Sequence, residues 1–105
     1  MKNFLVKIRF SQLAKNDFDS SILYYKQQSI ELSIKFKTDI NQSIKRIISF
    51  PTLYPKINQR VQKCVVSKFP YTIIYTIKDD IIYILAIASH HRNPQEYENR
   101  INEFN

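Results

Sequence analysis

The chain has 105 residues, with 16 Lys and Arg against nine Asp and Glu, which gives a formal net charge of +7. Its length fits one domain, residues 1–105, around one hydrophobic core. Glycine is absent and cysteine occurs once, at Cys64, which excludes glycine-rich phosphate loops, an intramolecular disulfide and a thiolate metal cluster. We therefore expect no cofactor and no metal. The positive charge favours nucleic acid, an acidic protein segment or an anionic membrane surface as partner.

Nothing in the sequence predicts a membrane segment. Residues 1–9 alternate apolar and basic side chains, whereas a signal peptide has a continuous apolar stretch. No run approaches the roughly 20 apolar residues that cross a bilayer. We expect a soluble, cytoplasmic protein that does not span a membrane.

The N-terminal half is predicted to form one strand and two helices. Apolar and basic residues alternate over residues 3–10, the pattern of a strand with one buried face. Ser11 offers an N-cap hydroxyl for a helix that reaches about Gln28. Ser29 restarts the helical pattern, which ends before Pro51. So short a break between two helices predicts an antiparallel helical hairpin.

The C-terminal half is predicted to form three antiparallel strands after a loop at residues 51–59. Residues 61–66 and 71–77 are rich in β-branched and aromatic side chains, and residues 81–88 are almost wholly apolar. The intervening Lys78-Asp79-Asp80 predicts a hairpin turn, because Asp tolerates a left-handed backbone. The fold class is therefore α+β.

A short final helix is predicted from Pro94 to Phe104, with Asn93 as its cap and Pro94 at its first position. It would follow directly on the polar segment after the last strand.

The hairpin turn predicts which side chains share a face of the sheet. Thr72 should lie opposite Ile87, and Tyr75 opposite Ile84. The face expected to pack on the helices carries Tyr71, Ile73, Tyr75, Ile77, Ile82, Ile84, Ala86 and Ala88. The opposite face, expected to be the working surface, carries Thr72, Ile74, Thr76, Tyr83, Leu85, Ile87, Ser89 and His91. A slip of one residue would exchange the two sets.

The segment His90-His91-Arg92 is the cluster most typical of an active site, because it follows the end of a strand. Cleavage of RNA by its own 2′-hydroxyl requires a base, an acid and fixed positive charge near the phosphorane. His91 is a candidate base or acid, Arg92 a candidate phosphate clamp, and Glu96 or Tyr97 a candidate assistant in proton transfer. The alternative is that both histidines are surface residues with no catalytic part.

A basic set in the C-terminal half is the candidate site for a target or a phosphate; it consists of Arg60, Lys63, Lys68, Arg92 and Arg100. These residues would bind nucleic-acid phosphate, or they would bind acidic side chains of a protein and speed association. An ordinary solvated surface is the third interpretation. Cys64 is expected to be a small buried hydrophobe rather than a nucleophile.

The order of several landmarks resembles the RelE/ParE family of small bacterial toxins. The landmarks are Phe36, Ile40, Ile47, Pro51, the Phe69-Pro70-Tyr71 corner, Ile74-Tyr75, His90 through Pro94, Tyr97 and Arg100. The resemblance implies an N-terminal strand, a helical hairpin, a three-stranded antiparallel sheet and a short C-terminal helix. It also implies a growth-inhibiting toxin of a type II toxin-antitoxin system, of the kind linked to plasmid stabilization. A cognate antitoxin would neutralise it in a hetero-oligomer.

Two mechanisms divide this family. RelE-like members cut mRNA on the ribosome with basic residues and a C-terminal Tyr or His, whereas ParE-like members inhibit DNA gyrase and need no nuclease site. Thr72 stands where the ribonucleases typically place an arginine, so the ParE-like branch is favoured. The ribonuclease remains the alternative, and a binding or adaptor protein on the same fold is a third. Whether the chain is an enzyme therefore stays open.

The antitoxin is expected to bind the face that carries Thr72, Ile74, Leu85 and Ile87. Two helices can cover only one side of the sheet, and an uncovered apolar face favours docking of a partner segment.

Overall fold

The fold is a four-stranded sheet with three helices in residues 7–103, the part of the chain that the computed structural model describes. The elements are β1 (Lys7–Phe10), α1 (Gln12–Gln28), α2 (Ile30–Ser49), β2 (Val61–Val65), β3 (Tyr71–Lys78), β4 (Ile81–Ser89) and α3 (Gln95–Asn102). The strand order is β1-β4-β3-β2, in which β1 runs parallel to β4 and the other neighbours are antiparallel.

This arrangement confirms the predicted α+β class and order of elements. Residues 3–6 of the predicted first strand and Phe104 of the predicted last helix lie outside the described residues. None of the helices within residues 7–103 combines the length and the hydrophobicity that a membrane crossing requires.

Two serines set the ends of the helical hairpin, as predicted. The Ser11 hydroxyl accepts a hydrogen bond from the Ala14 amide at 3.0 Å and begins α1. Ser29 is extended, and its own amide donates to the Tyr25 carbonyl at the end of α1. Its hydroxyl accepts from the Leu32 amide at 2.9 Å and begins α2. One residue thus ends the first helix and caps the second.

The main core lies between this hairpin and one face of the sheet. Phe36 of α2 is fully buried, with its ring centroid 4.8 Å from that of Tyr71 and 5.3 Å from that of Phe69. Other buried residues of this cluster come from the sheet or, for Val66, from the position just after β2: Cys64, Val66, Tyr71, Ile73, Tyr75, Ile82, Ile84 and Ile87. Truncation of a buried Phe typically costs about 3–5 kcal/mol, so Phe36 anchors the hairpin on the sheet.

The β3–β4 hairpin turn is the predicted two-residue turn. Asp79 and Asp80 have φ angles of 53° and 62°, the left-handed values that such a turn requires at both positions. Tyr75 lies opposite Ile84, as predicted. Near the turn the register is therefore the expected one.

Beyond that point the predicted register is wrong, because β4 contains one extra residue. Tyr75 pairs with Ile84 but Ile74 pairs with Ala86, so Leu85 has no partner on β3. Thr72 consequently lies opposite Ala88 and not opposite Ile87.

This β-bulge exchanges the two faces for the rest of β4. Ile87 belongs to the core under the helices, with 1% of its surface exposed, and Ser89 and His91 also lie on the helix side. Ala86 and Ala88 lie on the opposite face. The predicted face was wrong for these five residues because one inserted residue reverses the alternation of side chains.

Helix α3 covers the second face of the sheet, so the expectation of an open face there is wrong. Its buried Tyr97 and half-buried Ile101 pack on a second apolar cluster, which consists of Val61, Ile74, Leu85, Ala86 and Ala88. The Asn93 side chain accepts from the Gln95 amide at 3.0 Å, and Pro94 has helical angles. The predicted start of this helix is thus correct to within one residue.

A largely buried ion pair, the Asp17–Arg100 clasp, joins α1 to α3. Arg100 Nη1 donates to Asp17 Oδ2 at 2.7 Å and to the Leu85 carbonyl at 3.1 Å, and Nη2 donates to Asp17 Oδ1 at 3.3 Å. The Ile87 amide also donates to Asp17 Oδ2, at 3.1 Å. The side chains of Arg100 and Asp17 are 18% and 10% exposed. The clasp therefore holds α3 at the bulged part of β4.

The turn predicts that Asp80→Gly stabilises the protein. Glycine adopts a positive φ without the Cβ clash that an L-residue bears, so we expect the free energy of unfolding to rise by about 0.5 kcal/mol. Gln42→Gly, at an exposed position inside α2, is the control and should lower it by about 0.5–1 kcal/mol. Urea denaturation measures both. A fall with Asp80→Gly would contradict the left-handed geometry at this position.

The clasp predicts unequal effects for two arginines near α3. Arg100→Ala leaves the largely buried Asp17 carboxylate without its cation and should lower the free energy of unfolding by about 3 kcal/mol. Arg92 forms an exposed pair with Glu96 at 3.6 Å, so Arg92→Ala should change it by less than about 1 kcal/mol. Urea denaturation of the two variants makes the comparison. Equally small effects would show that the clasp does not hold α3.

Candidate functional site

The two histidines at the end of β4 point to different sides of the sheet. His90 Nε2 lies 2.7 Å from the Thr72 hydroxyl, on the side that α3 covers in part. His91 instead lines a surface pocket next to α1. Neighbouring residues along a strand alternate between its faces, and His90 and His91, which directly follow β4, likewise do not share one site in this structure.

The pocket beside His91, called here the β4-end pocket, has a volume of about 380 Å³. Besides His91 and Arg92, the pocket is lined by residues of α1 and of the sheet: Ser20, Ser21, Tyr24, Tyr25, Gln28, Tyr71 and Ser89. Arg92 is the one cation among the lining residues, all of which lie in the described range. The pocket thus brings one candidate base and one candidate phosphate ligand together among hydroxyl groups.

Tyr97, expected as a proton-transfer residue, does not reach this pocket. It is buried between α3 and the second face of the sheet. Burial raises the pKa of its hydroxyl, and the negative charge of Asp17 acts in the same direction. Its role in this conformation is packing.

Arg100 is also occupied within the fold. Its guanidinium binds Asp17 and the Leu85 carbonyl and lies 5.1 Å from the centroid of the Tyr97 ring. A phosphate could bind the Arg100 guanidinium only by breaking its largely buried ion pair with Asp17. Of the four residues at positions 91, 92, 97 and 100, only His91 and Arg92 line the β4-end pocket, whereas Tyr97 and Arg100 contact each other under α3.

The residues of the expected antitoxin surface fall into three groups. Ile74 and Leu85 lie on the predicted face but are buried beneath α3, and Thr72 is half-buried at its margin. Ile87 lies on the other side of the sheet because of the bulge. Ile87 is therefore corrected as a surface residue: its side chain is part of the main core.

Arg60 and Lys63 belong to another region. Arg60 precedes β2, and its carbonyl accepts a hydrogen bond from the Thr76 hydroxyl. Thr76 lies roughly 17 Å along β3 from Tyr71 of the β4-end pocket, since a strand rises about 3.4 Å per residue. Lys63 is exposed on β2. Arg60 lines a second pocket of about 560 Å³, called here the basic pocket, together with Lys56 and Lys78.

Sequence reasoning did not single out Lys56, Lys78 or Asp17. A sequence signal existed for the two lysines, because no Asp or Glu occurs from Ile40 to Lys78. The sequence signal for Asp17 was weaker: it is an acidic residue directly before Phe18, an apolar residue of α1 that packs against the main core. Its partners are remote in the sequence and gave no local pattern.

Cys64 and the acidic residues provide no reactive or metal-binding centre within residues 7–103. Cys64 is buried, and burial raises the pKa of its thiol. No group of three His, Cys, Asp or Glu side chains in that range is placed to hold a metal ion.

Comparison with known proteins identifies the family. The model for the ParE toxin of the type II toxin-antitoxin system parDE matches residues 8–94. No curated protein matches the chain. Nine chains of solved structures match, one of them from the chromosomal ParDE toxin-antitoxin system of P. aeruginosa. It has a TM-score of 0.71 and 19% sequence identity over 83% of this chain and 98% of that chain. This similarity concerns the fold.

The family match includes both helices of the hairpin, all four strands except the first residue of β1, and the segment from His90 to Pro94. It spans far more than half of the 105 residues. The chain therefore belongs to the ParE toxin family of type II toxin-antitoxin systems.

Proposed function

We propose that this toxin acts by binding a protein, DNA gyrase, and that a cognate antitoxin neutralises it in a cytoplasmic hetero-oligomer. The observation that carries the proposal is that Tyr97, expected as a proton-transfer residue of an RNA-cleaving site, and Arg100, expected to bind a target or a phosphate, are used to hold α3 on the sheet. Residues 1–105 would act as one toxin domain.

RNA cleavage makes demands that this arrangement meets only in part. A base and an acid must lie within hydrogen-bond reach of the reacting groups, and several fixed donors must face the developing charge. The β4-end pocket offers His91 and Arg92. Thr72, at the position of the expected arginine, supplies no charge and contacts His90. A protein inhibitor needs no such set.

The ribonuclease remains the second candidate because of one observation. His91, Arg92 and the exposed Tyr24 ring share the β4-end pocket, and exposed aromatic rings stack on unpaired RNA bases. A site of this kind would use His91 for proton transfer and Arg92 for phosphate.

For the antitoxin, we propose a contact on the second face at Thr72, Ile74 and Leu85. Ile74 and Leu85 are apolar and packed under α3, which is a helix of only eight residues. An antitoxin segment would reach them by replacing α3 and burying the same apolar surface.

The choice of mechanism is tested by comparing the two histidines. The wild-type toxin should inhibit DNA supercoiling by gyrase and leave mRNA on translating ribosomes intact, and both His91→Ala and His90→Ala should also leave it intact. If the protein is a ribonuclease, His91→Ala should reduce cleavage by about 10²- to 10⁴-fold because proton transfer is lost. His90→Ala is the matched control, since His90 faces Thr72 outside the pocket. Wild-type mRNA cleavage that only His91→Ala abolishes would contradict the proposal.

The antitoxin contact is tested by hydrogen exchange on the toxin alone and on its complex with the co-expressed antitoxin. Amides of β3 around Ile74 should become better protected in the complex, whereas those of α3 should exchange faster because the helix loses its packing. The clasp variant Arg100→Ala should show fast exchange of α3 already in the free toxin. Protection confined to the outer faces of α1 and α2 would contradict this contact.

A further inference from the structure

The basic pocket lies in the most positively charged part of the chain. From Ile40 to Lys78 the sequence contains seven Lys and Arg and no Asp or Glu. Three of these cations, Lys56, Arg60 and Lys78, line the pocket, and none of the residues that line it in the described range is acidic. The first acidic residues after this stretch are Asp79 and Asp80 in the turn. A concave site with charge of one sign attracts groups of the opposite sign.

Exposed apolar side chains stand on the loop that leads into this pocket. Phe50, Leu53 and Ile57 are 58%, 72% and 40% exposed. The Leu53 amide donates to the Phe50 carbonyl at 3.1 Å, so these two residues share one turn. Thr52 of the same turn lines the basic pocket, as does Lys56 next to Ile57. Exposed apolar side chains and the cations of the basic pocket therefore lie close together along this loop.

The loop is held in place by buried hydrogen bonds. The buried Gln62 side chain donates to the Pro51 carbonyl at 2.8 Å and to the Tyr54 carbonyl at 3.1 Å. The Tyr75 hydroxyl donates to the Pro51 carbonyl at 2.7 Å, and the Lys63 amide to the Pro55 carbonyl at 2.9 Å. A surface that is already ordered loses less entropy when a partner binds.

We infer that the surface formed by Phe50, Leu53, Ile57, Lys56, Arg60 and Lys78 docks an acidic segment of the toxin's protein target, a segment that also carries apolar side chains. The inference rests on the proposed function for the identity of that partner. Protein interfaces combine apolar anchors with Arg, whereas nucleic-acid interfaces are polar and strongly basic. Exposed Leu and Ile beside the cations therefore favour a protein segment over nucleic acid.

The chemistry of the surface is tested with two probes, a short synthetic peptide of glutamate and leucine and a DNA duplex. Each is titrated into the full-length toxin while the methyl signals of Leu53 and Ile57 are followed by NMR. The peptide should shift both signals. Arg60→Glu and Leu53→Ser should each weaken peptide binding about tenfold, because one removes a charge pair and the other an apolar anchor.

Two matched controls separate local from general effects. Lys37→Glu makes the same change of charge on the exposed side of α2, and Leu23→Ser removes another exposed leucine from α1. Both should bind the peptide like the wild type. Folding is checked by circular dichroism, and the Arg60 carbonyl keeps its bond from the Thr76 hydroxyl in Arg60→Glu. Absence of peptide binding, equal losses in the controls, or tighter binding of DNA at the same methyl groups would overturn the inference.

A gyrase assay separates this inference from the proposed function. Arg60→Glu should require about tenfold more toxin than Lys37→Glu to inhibit supercoiling by half. If the wild type does not inhibit gyrase, the proposed function fails, and the peptide titration still decides whether the surface binds acidic segments. If the wild type inhibits gyrase and Arg60→Glu is equally potent, the proposed function stands and the assignment of this surface to the target is wrong.

Discussion

The backbone of β4 between Ile84 and Ile87 is the constraint on which the arrangement of the other elements depends. β1 ends opposite Ile84, so β4 has no neighbouring strand on that side farther along. Buried backbone groups need partners, and here they come from outside the sheet. The Leu85 carbonyl accepts from Arg100 of α3, and the Ile87 amide donates to Asp17 of α1. This stretch of β4, which has a neighbouring strand on one side only, thus fixes the first helix and the last on the sheet.

Local chemistry made much of the fold predictable. Ser11, Ser29 and the Asp79-Asp80 turn act on residues within one helical turn or one hairpin, so their effects can be read from short patterns. The bulge at Leu85 could not be read in this way, because its partners Asp17 and Arg100 lie far from it in the sequence. The resulting one-residue error in register reversed the predicted face of every residue from Ala86 to Ser89, and of His91.

The sequence predicted which residue types the candidate site would contain, but not which of those residues would lie together. Adjacent residues at a strand end diverge, so His90 and His91 serve different sides of the sheet. Tyr97 was expected to transfer protons, but the sequence also indicated its packing role. With Ile101 it forms an i, i+4 apolar pair, the pattern of a helix packed on a sheet. Lys56 and Lys78, in contrast, are distant in sequence and meet at one pocket only after β2 and β3 have paired.

The positions of the acidic residues in the fold explain which part of the surface carries the excess positive charge. Asp39 is buried and Asp17 is largely buried, and both accept backbone hydrogen bonds. Asp39 accepts from the amides of Lys68 and Phe69 at 2.9 and 3.0 Å and so fixes the corner before β3. A buried charge is tolerated only with such partners. Because these two acids hold the fold together, they do not neutralise cations at the surface. At the hairpin end of the sheet, Lys56, Arg60 and Lys78 outnumber the two turn carboxylates, Asp79 and Asp80, and so leave a positive field available to a partner.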